Sequence, residues 1–280
     1  MWIDTHCHLD ASEFAGASLA LAEAAAKSGV SAIVIPAVHK NNFAAVEALS
    51  QRREDCFYAL GIHPIYVPTS DEKDLLFLRE KVAALMSRDN TSNVATDVQS
   101  QQPANRFVAI GEIGLDFFVP ALKESPLREK QEFFFSEQLK IAREFELPVL
   151  LHVRRSQDTV LKYLRRIRVP GGIAHAFNGS HQQAQTFIDL GFKLGLGGAM
   201  TYTRALQIRR LATELPLTAL VLETDAPDMS PSWIPHAINT PAELPAIATV
   251  LAGLRGVTPA DIGMATTANA ESVLPRMRRS

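Results

Sequence analysis

Eight short apolar segments, each followed by a stretch of helical periodicity, predict a single α/β domain folded as a (β/α)8 barrel, the TIM barrel. Two observations favour it over a doubly wound open sheet. No linker interrupts the alternation, and polar residues recur at the C-terminal ends of strands drawn from the whole chain. A barrel brings those ends to one mouth, whereas an open sheet strings them along a line.

The first strand is Trp2-Ile3-Asp4-Thr5-His6-Cys7-His8, apolar at its start and closed by a His-x-His pair. Strand alternation projects His6 and His8 to one side and Cys7 to the other. An alanine-rich helix, about Ser18 to Ser28, stops at Gly29, and Ala32 to Pro36 is a continuous apolar run of the kind parallel strands need. A helix over Asn41 to Arg53 leads to a third strand, Phe57 to Ile62, ending at His63-Pro64. Glu72 to Ser87 is helical, and residues 89–105, rich in Asn, Ser, Gln, Thr and Asp, read as a mobile surface insertion. The fourth strand is Phe107 to Glu112. Ser125-Pro126 opens a long helix with Phe135, Leu139, Ala142 and Phe145 at helical spacing.

Val149 to His152 is the fifth strand, Ser156 to Arg166 a helix, and Gly172 to His175 the sixth strand. Ser180 with Gln183 forms a capping box for the next helix. Phe192 to Leu196 and Leu220 to Asp225 are the seventh and eighth strands, with a helix to about Glu214 between them. Thr240-Pro241-Ala242-Glu243 and Thr258-Pro259-Ala260-Asp261 each open a helix, the first read as a capping box with proline at its first position.

The 280 residues carry a formal net charge of −2, with 47% hydrophobic and 21% charged residues, which suits a soluble globular enzyme. No global basic character points to nucleic acid, so any phosphate binding must be local or carried by cations. Two cysteines, Cys7 and Cys56, both expected in buried strands, argue against a disulfide framework and fit a reducing, cytoplasmic setting. No signal segment and no membrane span is expected.

The strand-end residues are His6, His8, His63, Glu112, His152, His175 and Asp225. Each has an ordinary structural alternative alone, His63 as a loop residue and Asp225 as a turn cap. Together at one mouth they point to a metal centre. Four imidazoles and two carboxylates can hold two divalent ions, with Glu112 bridging, and leave room for water and substrate. Two carboxylates against two dications leave the cluster at about +2, enough to attract a phosphodiester. Asp225 can take a proton from water as general base. Arg154, with Arg155 beside it, stands near the mouth as a phosphate clamp.

Five ordered segments make a more specific case: Asp4-Thr5-His6-Cys7-His8-Leu9-Asp10, Gly61-Ile62-His63-Pro64, Gly111-Glu112-Ile113-Gly114-Leu115-Asp116, His152-Val153-Arg154 and Leu222-Glu223-Thr224-Asp225-Ala226-Pro227. In these the chain resembles the TatD family of metal-dependent deoxyribonucleases, from its first residues to about Asn239-Thr240-Pro241. The resemblance implies a TIM-barrel metallohydrolase with His6, His8, Glu112, His152, His175 and Asp225 as ligands and Glu112 bridging. It implies dependence on Mg²⁺, Mn²⁺ or Zn²⁺ and hydrolysis of DNA, often from an end, and it puts His63 near the substrate. The expected partner is DNA or a short oligonucleotide, with no obligate protein partner.

The chain departs from the family pattern at Ala176 and Asn178 (usually Cys and Ser), at Ser156 (Ala), at Asp228-Met229 (often Tyr-Leu) and at Ile65 (often His). None removes a ligand, but they bear on substrate choice. An amidohydrolase cutting C–N or ester bonds is the alternative chemistry, and a non-catalytic metal-binding barrel the third reading. Many two-metal amidohydrolase barrels bridge their ions with a carbamylated lysine on the fourth strand, where this chain has Glu112. No basic stripe with interleaved aromatics tracks a strand of nucleic acid. Phe117, Phe118, Tyr202 and Trp233 are candidate stacking residues, each expected to be buried.

Overall fold

The computed structural model describes residues 1–92 and 104–278. Eight strands, β1 (Trp2–Asp4), β2 (Val30–Pro36), β3 (Cys56–Leu60), β4 (Phe107–Asp116), β5 (Val149–Arg154), β6 (Gly172–Ala174), β7 (Phe192–Leu196) and β8 (Leu220–Leu222), pair in parallel in chain order. Between them run α1 (Ser18–Lys27), α2 (Phe43–Arg52), α3 (Glu72–Ser92), α4 (Leu127–Glu144), α5 (Gln157–Arg166), α6 (His181–Asp189) and α7 (Leu206–Glu214). After β8 come α8 (Leu244–Arg255) and α9 (Pro259–Val273). This is the expected TIM barrel.

The pattern of apolar residues explains the layers. Ile3, Ala32, Val34, Ala59, Val108, Leu150, Ile173 and Val221 pack with Ala270, Val273, Leu274 and Met277, so α9 and the turn after it stop the end of the barrel where the strands begin. The opposite strand faces, among them Ile33, Ile35, Tyr58, Leu60 and Leu151, are buried against the outer helices. Polar side chains are thereby confined to the end where the strands finish.

β1 and β8 share no ladder, and the seam between them is sewn by individual bonds. The Thr5 N–H and hydroxyl both donate to the Leu222 carbonyl at 3.0 Å, and Asp225 N–H donates to the His6 carbonyl at 2.8 Å. Asp4, fully buried, accepts from the Thr224 N–H at 3.0 Å, the Thr224 hydroxyl at 2.6 Å and the His6 N–H at 3.3 Å. A buried carboxyl is tolerated only when its lone pairs are used in this way. β4 and β5 are pinned differently. Gly114 has φ of +152°, and a Cβ there would lie 1.9 Å from the His152 carbonyl oxygen. Glycine lets the two backbones approach just where β5 delivers His152.

Several expectations need correction. β4 runs to Asp116, four residues past Glu112, because Gly114 is an extended member of the strand and does not end it. β1 stops at Asp4, so His6, Cys7 and His8 lie in the irregular segment beyond it; Cys7 is buried but not in a strand, and both cysteines are free. α3 continues through residues 89–92, the start of the expected insertion, while residues 93–103 lie outside the described residues. The capping box at Thr240 does not form: residues Pro241–Glu243 are a 3-10 turn, and Glu243 instead accepts from the Trp233 indole N–H at 2.7 Å. The box at Ser180–Gln183 does form, and Thr258 with Asp261 makes a further one that was not expected. Among the described residues, no helix is long and apolar enough to cross a membrane.

The seam predicts a stability effect. Asp4→Ala leaves two buried N–H groups and a hydroxyl without their acceptor and should lower the unfolding free energy by about 3 kcal/mol. Urea denaturation followed by far-UV circular dichroism measures it, and an unchanged midpoint would show that the seam does not depend on Asp4.

Candidate metal centre

The site is built around one carboxylate. Glu112 sits within β4 with its side chain 2% exposed, and its two oxygens face different sets of imidazoles. Oε2 meets His6 Nε2 at 3.2 Å and His8 Nε2 at 3.4 Å. Oε1 meets His152 Nδ1 and His175 Nε2 at 3.0 Å each, and His63 Nε2 at 3.4 Å. Asp225 Oδ1 closes the first side, 3.8 Å from His6 and 3.6 Å from His8. Three sets of ligand atoms lie within 4.8 Å of one another: His6–His8–Glu112, His6–His175–Asp225 and His63–Glu112–His152.

The donor chemistry fits divalent ions. Five imidazole nitrogens crowd one carboxylate, and His175 Nε2 also lies 3.5 Å from His152 Nδ1. Proton-sharing cannot satisfy such a set, since two ring nitrogens facing each other and one carboxylate all compete for donors. Mixed nitrogen and oxygen ligands around a shared carboxylate are what Zn²⁺ and Mn²⁺ accept readily.

All seven residues named from the sequence as metal or water ligands or as His63 converge here. His63 is the one that comes closer than expected. It lies three residues beyond β3 as the N-cap of the following 3-10 turn, its Nδ1 accepting from the Ile65 N–H at 3.1 Å, which turns Nε2 onto Glu112. Arg154 is on the cleft wall, 52% exposed, with Nη1 3.9 Å from Asp116 Oδ2. The cleft over the centre holds about 1330 Å³ and is lined by the ends of β4 and β5, by residues following β1, β2, β3, β6 and β8, and by Gln207 of α7.

Asp116 and Glu223 received no role from the sequence, although both lie in the quoted motifs. Asp116 Oδ2 meets His152 Nε2 at 3.1 Å, orienting the ring so that Nδ1 faces Glu112. Glu223, fully buried, accepts from the Ala176 N–H at 2.5 Å and lies 3.8 Å from His175 Nδ1. Gly195 makes room for it, since a Cβ there would sit 2.0 Å from Glu223 Oε2. Such outer carboxylates set ring orientation and tautomer. The available signal was position: each is a carboxylate in the same motif as a candidate ligand, Asp116 with Glu112 and Glu223 with Asp225. Of the aromatic candidates, Phe118 and Trp233 are exposed, at 45% and 41%, against expectation. Phe118 lines the cleft; Trp233 does not.

Burial pulls His6 down to about 3, with His175 adding to the effect, and pulls His63 down to about 4. Burial also opposes protonation of His8 and His175, but contact with Glu112 outweighs it and raises them to about 9 and about 10. Glu112, despite its burial, is held well below the usual carboxylate range by His63, His175 and His6. Burial raises Asp225, while it is outweighed at Asp116, where the His152 hydrogen bond brings the carboxyl to about 2.

Barrel and centre together are those of a metal-dependent hydrolase. The chain belongs to the family of TatD-related DNases, whose family model matches residues 3–275. It is 38% identical over 255 residues to the uncharacterized metal-dependent hydrolase YjjV of Escherichia coli, covering 91% of this chain and 90% of that protein. The crystal structure of the E. coli YjjV superposes with a TM-score of 0.85 at 36% identity, over 98% of both chains. Human deoxyribonuclease TATDN3 is 28% identical over 99% of this chain and 95% of its own. An uncharacterized amidohydrolase of Saccharomyces cerevisiae shares the fold, with a TM-score of 0.76 at 19% identity.

The raised His8 and His175 carry protons at neutral pH in the metal-free centre, whereas ligation requires neutral imidazoles. Loading Zn²⁺ or Mn²⁺ should therefore expel protons, and affinity should strengthen as pH rises towards about 9 and about 10, the His8 and His175 values. Calorimetric titration at pH 7 in two buffers of different ionisation enthalpy reads the release. Heats that do not depend on the buffer would contradict it.

Proposed function

We propose that this chain is a two-metal phosphodiesterase that removes nucleotides from the ends of DNA. The observation that carries the reading is the division of Glu112, whose two oxygens serve separate imidazole sets on the floor of an open cleft. His6, His8 and Asp225 would hold one ion with Oε2, and His152 and His175 the other with Oε1, with His63 beside the second set. When bound, the pair of ions would supply Lewis-acid charge for a phosphoryl oxygen and lower the pKa of water.

The protein residues do the rest. Glu112 and the outer carboxylates Asp116 and Glu223 keep the imidazoles oriented for ligation. Asp225, at the edge of the centre and facing the cleft, accepts the proton of the attacking water. Arg154 balances charge on the phosphodiester as it enters. The family name and the human relative's deoxyribonuclease activity support DNA as the substrate. Against the amidohydrolase alternative stands β4, which presents a glutamate where a carbamylated lysine would bridge.

The test is release of nucleotides from end-labelled single-stranded DNA after chelation and add-back of Mg²⁺, Mn²⁺ or Zn²⁺. Metal-dependent release, abolished by Glu112→Ala together with metal binding, is expected. No cleavage with any metal, while the protein binds two ions per chain, would turn the assignment to amides and esters. Asp225→Asn should lower kcat by at least about 10²-fold, as removal of a general base does, while metal content by mass spectrometry stays near wild type. Undiminished turnover in that variant would remove the role given to Asp225.

A further inference from the structure

The cleft carries opposite charge on its two sides. Asp10 and Glu13 follow β1 and Asp228 follows β8, strands that adjoin across the seam. Arg154 ends β5, Arg155 follows it and Phe118 follows β4, on the far side of the mouth. A polyanionic strand leaving the centre is repelled by the first side and drawn over the second.

That second side is organised. The Phe118 ring lies 3.8 Å from the Arg154 guanidinium carbon and 4.7 Å from that of Arg155. Consecutive residues of a strand point to opposite faces, so the two arginines would diverge if β5 continued. It ends at Arg154, and Arg155 adopts φ of 56°, a left-handed conformation that costs energy in a residue bearing a Cβ. This break in alternation brings both guanidiniums to one ring. The Ser156 hydroxyl donates to the Leu115 carbonyl at 2.6 Å, and the Phe117 N–H to the Arg154 carbonyl at 2.9 Å, fastening the turn to the end of β4.

Asp116 ties this group to the centre. Its Oδ1 accepts from the Phe118 and Val119 N–H groups at 2.8 and 2.9 Å, while Oδ2 meets His152 and lies near Arg154. One carboxylate thus orders the aromatic, an arginine and an imidazole of the metal centre.

We propose that Phe118, Arg154 and Arg155 form a nucleotide subsite adjoining the centre, which binds the phosphate and base next to the linkage being cut. The inference rests on the phosphodiesterase reading above and names its substrate class: single-stranded oligonucleotides with at least one nucleotide beyond the cleaved bond. The guanidiniums take the phosphate, and their planes with the exposed ring offer the base a flat surface. Because every base has a π-face, the subsite tolerates sequence. Asp116 is the positioning residue.

The test uses the metal-loaded full chain and three probes: a labelled hexathymidylate, its cleavage-resistant phosphorothioate, and the base-free ester bis(p-nitrophenyl) phosphate. Phe118→Ala and Arg155→Ala should each weaken phosphorothioate binding about tenfold by fluorescence anisotropy, the usual scale for losing a stacked base. They should raise the hexamer's KM to a similar extent, well beyond any change with the ester, and Phe118→Trp should restore binding. Equal affinities in wild type and variants would overturn the subsite while the nuclease reading stands. Parallel losses on hexamer and ester would also overturn it, showing that these residues only support the centre. A wild type that hydrolyses the ester but not the hexamer would sink the nuclease reading instead, and the binding arm would still decide the subsite.

Discussion

A carboxylate buried at the mouth of an apolar barrel is the constraint on which the structure turns. Glu112 stays ionised with its side chain only 2% exposed, so opposite charge or hydrogen-bond donors must surround it on all sides. Five imidazoles do so, drawn from β5 and from the segments after β1, β3 and β6. None of those rings could be brought to Glu112 by local structure. The barrel closes because each strand contributes to its interior, and its closure places every strand end around the same point.

The support behind those rings is as specific as the rings themselves. Asp4 ties β1 to β8 and so sets His6 and Asp225 relative to each other across 219 residues of chain. Glycines do the opposite work of removing bulk. Gly114 lets β4 and β5 close on one another, and Gly195 yields the space that the Glu223 carboxyl occupies. Burial raises Glu223 to about 8, a value its bond from the Ala176 N–H and its proximity to His175 reduce but do not reverse. A carboxyl is held there at a cost that an apolar residue would avoid, which fits a role in orienting His175.

The family departures now have places. Ser156, where alanine is usual, adds a hydroxyl bond that fastens the β5 turn to β4. Ala176 has φ of 45° and gives its N–H to Glu223, a backbone contact for which its small side chain suffices. Ile65, Asn178, Asp228 and Met229 all line the cleft, so this chain differs from the pattern on the cleft wall and retains it in the residues gathered around Glu112.

The alternation of apolar runs with helical stretches determined the barrel from the sequence alone, because a parallel strand buried on both faces needs an unbroken apolar run. The recurrence of His, Glu and Asp at the ends of those runs picked out the seven side chains that the fold gathers at one mouth. Strand length was harder to read. The sequence pattern ends the fourth strand at Glu112 and marks Thr240 as a helix cap, and tertiary contacts override both: a close β5 backbone at Gly114 in one case, the Trp233 indole in the other. The outer carboxylates Asp116 and Glu223, the inward turn of His63 and the exposure of Phe118 were decided only by the fold. Each depends on which atoms lie across a gap of tens to hundreds of residues, and no local pattern of hydropathy records that distance.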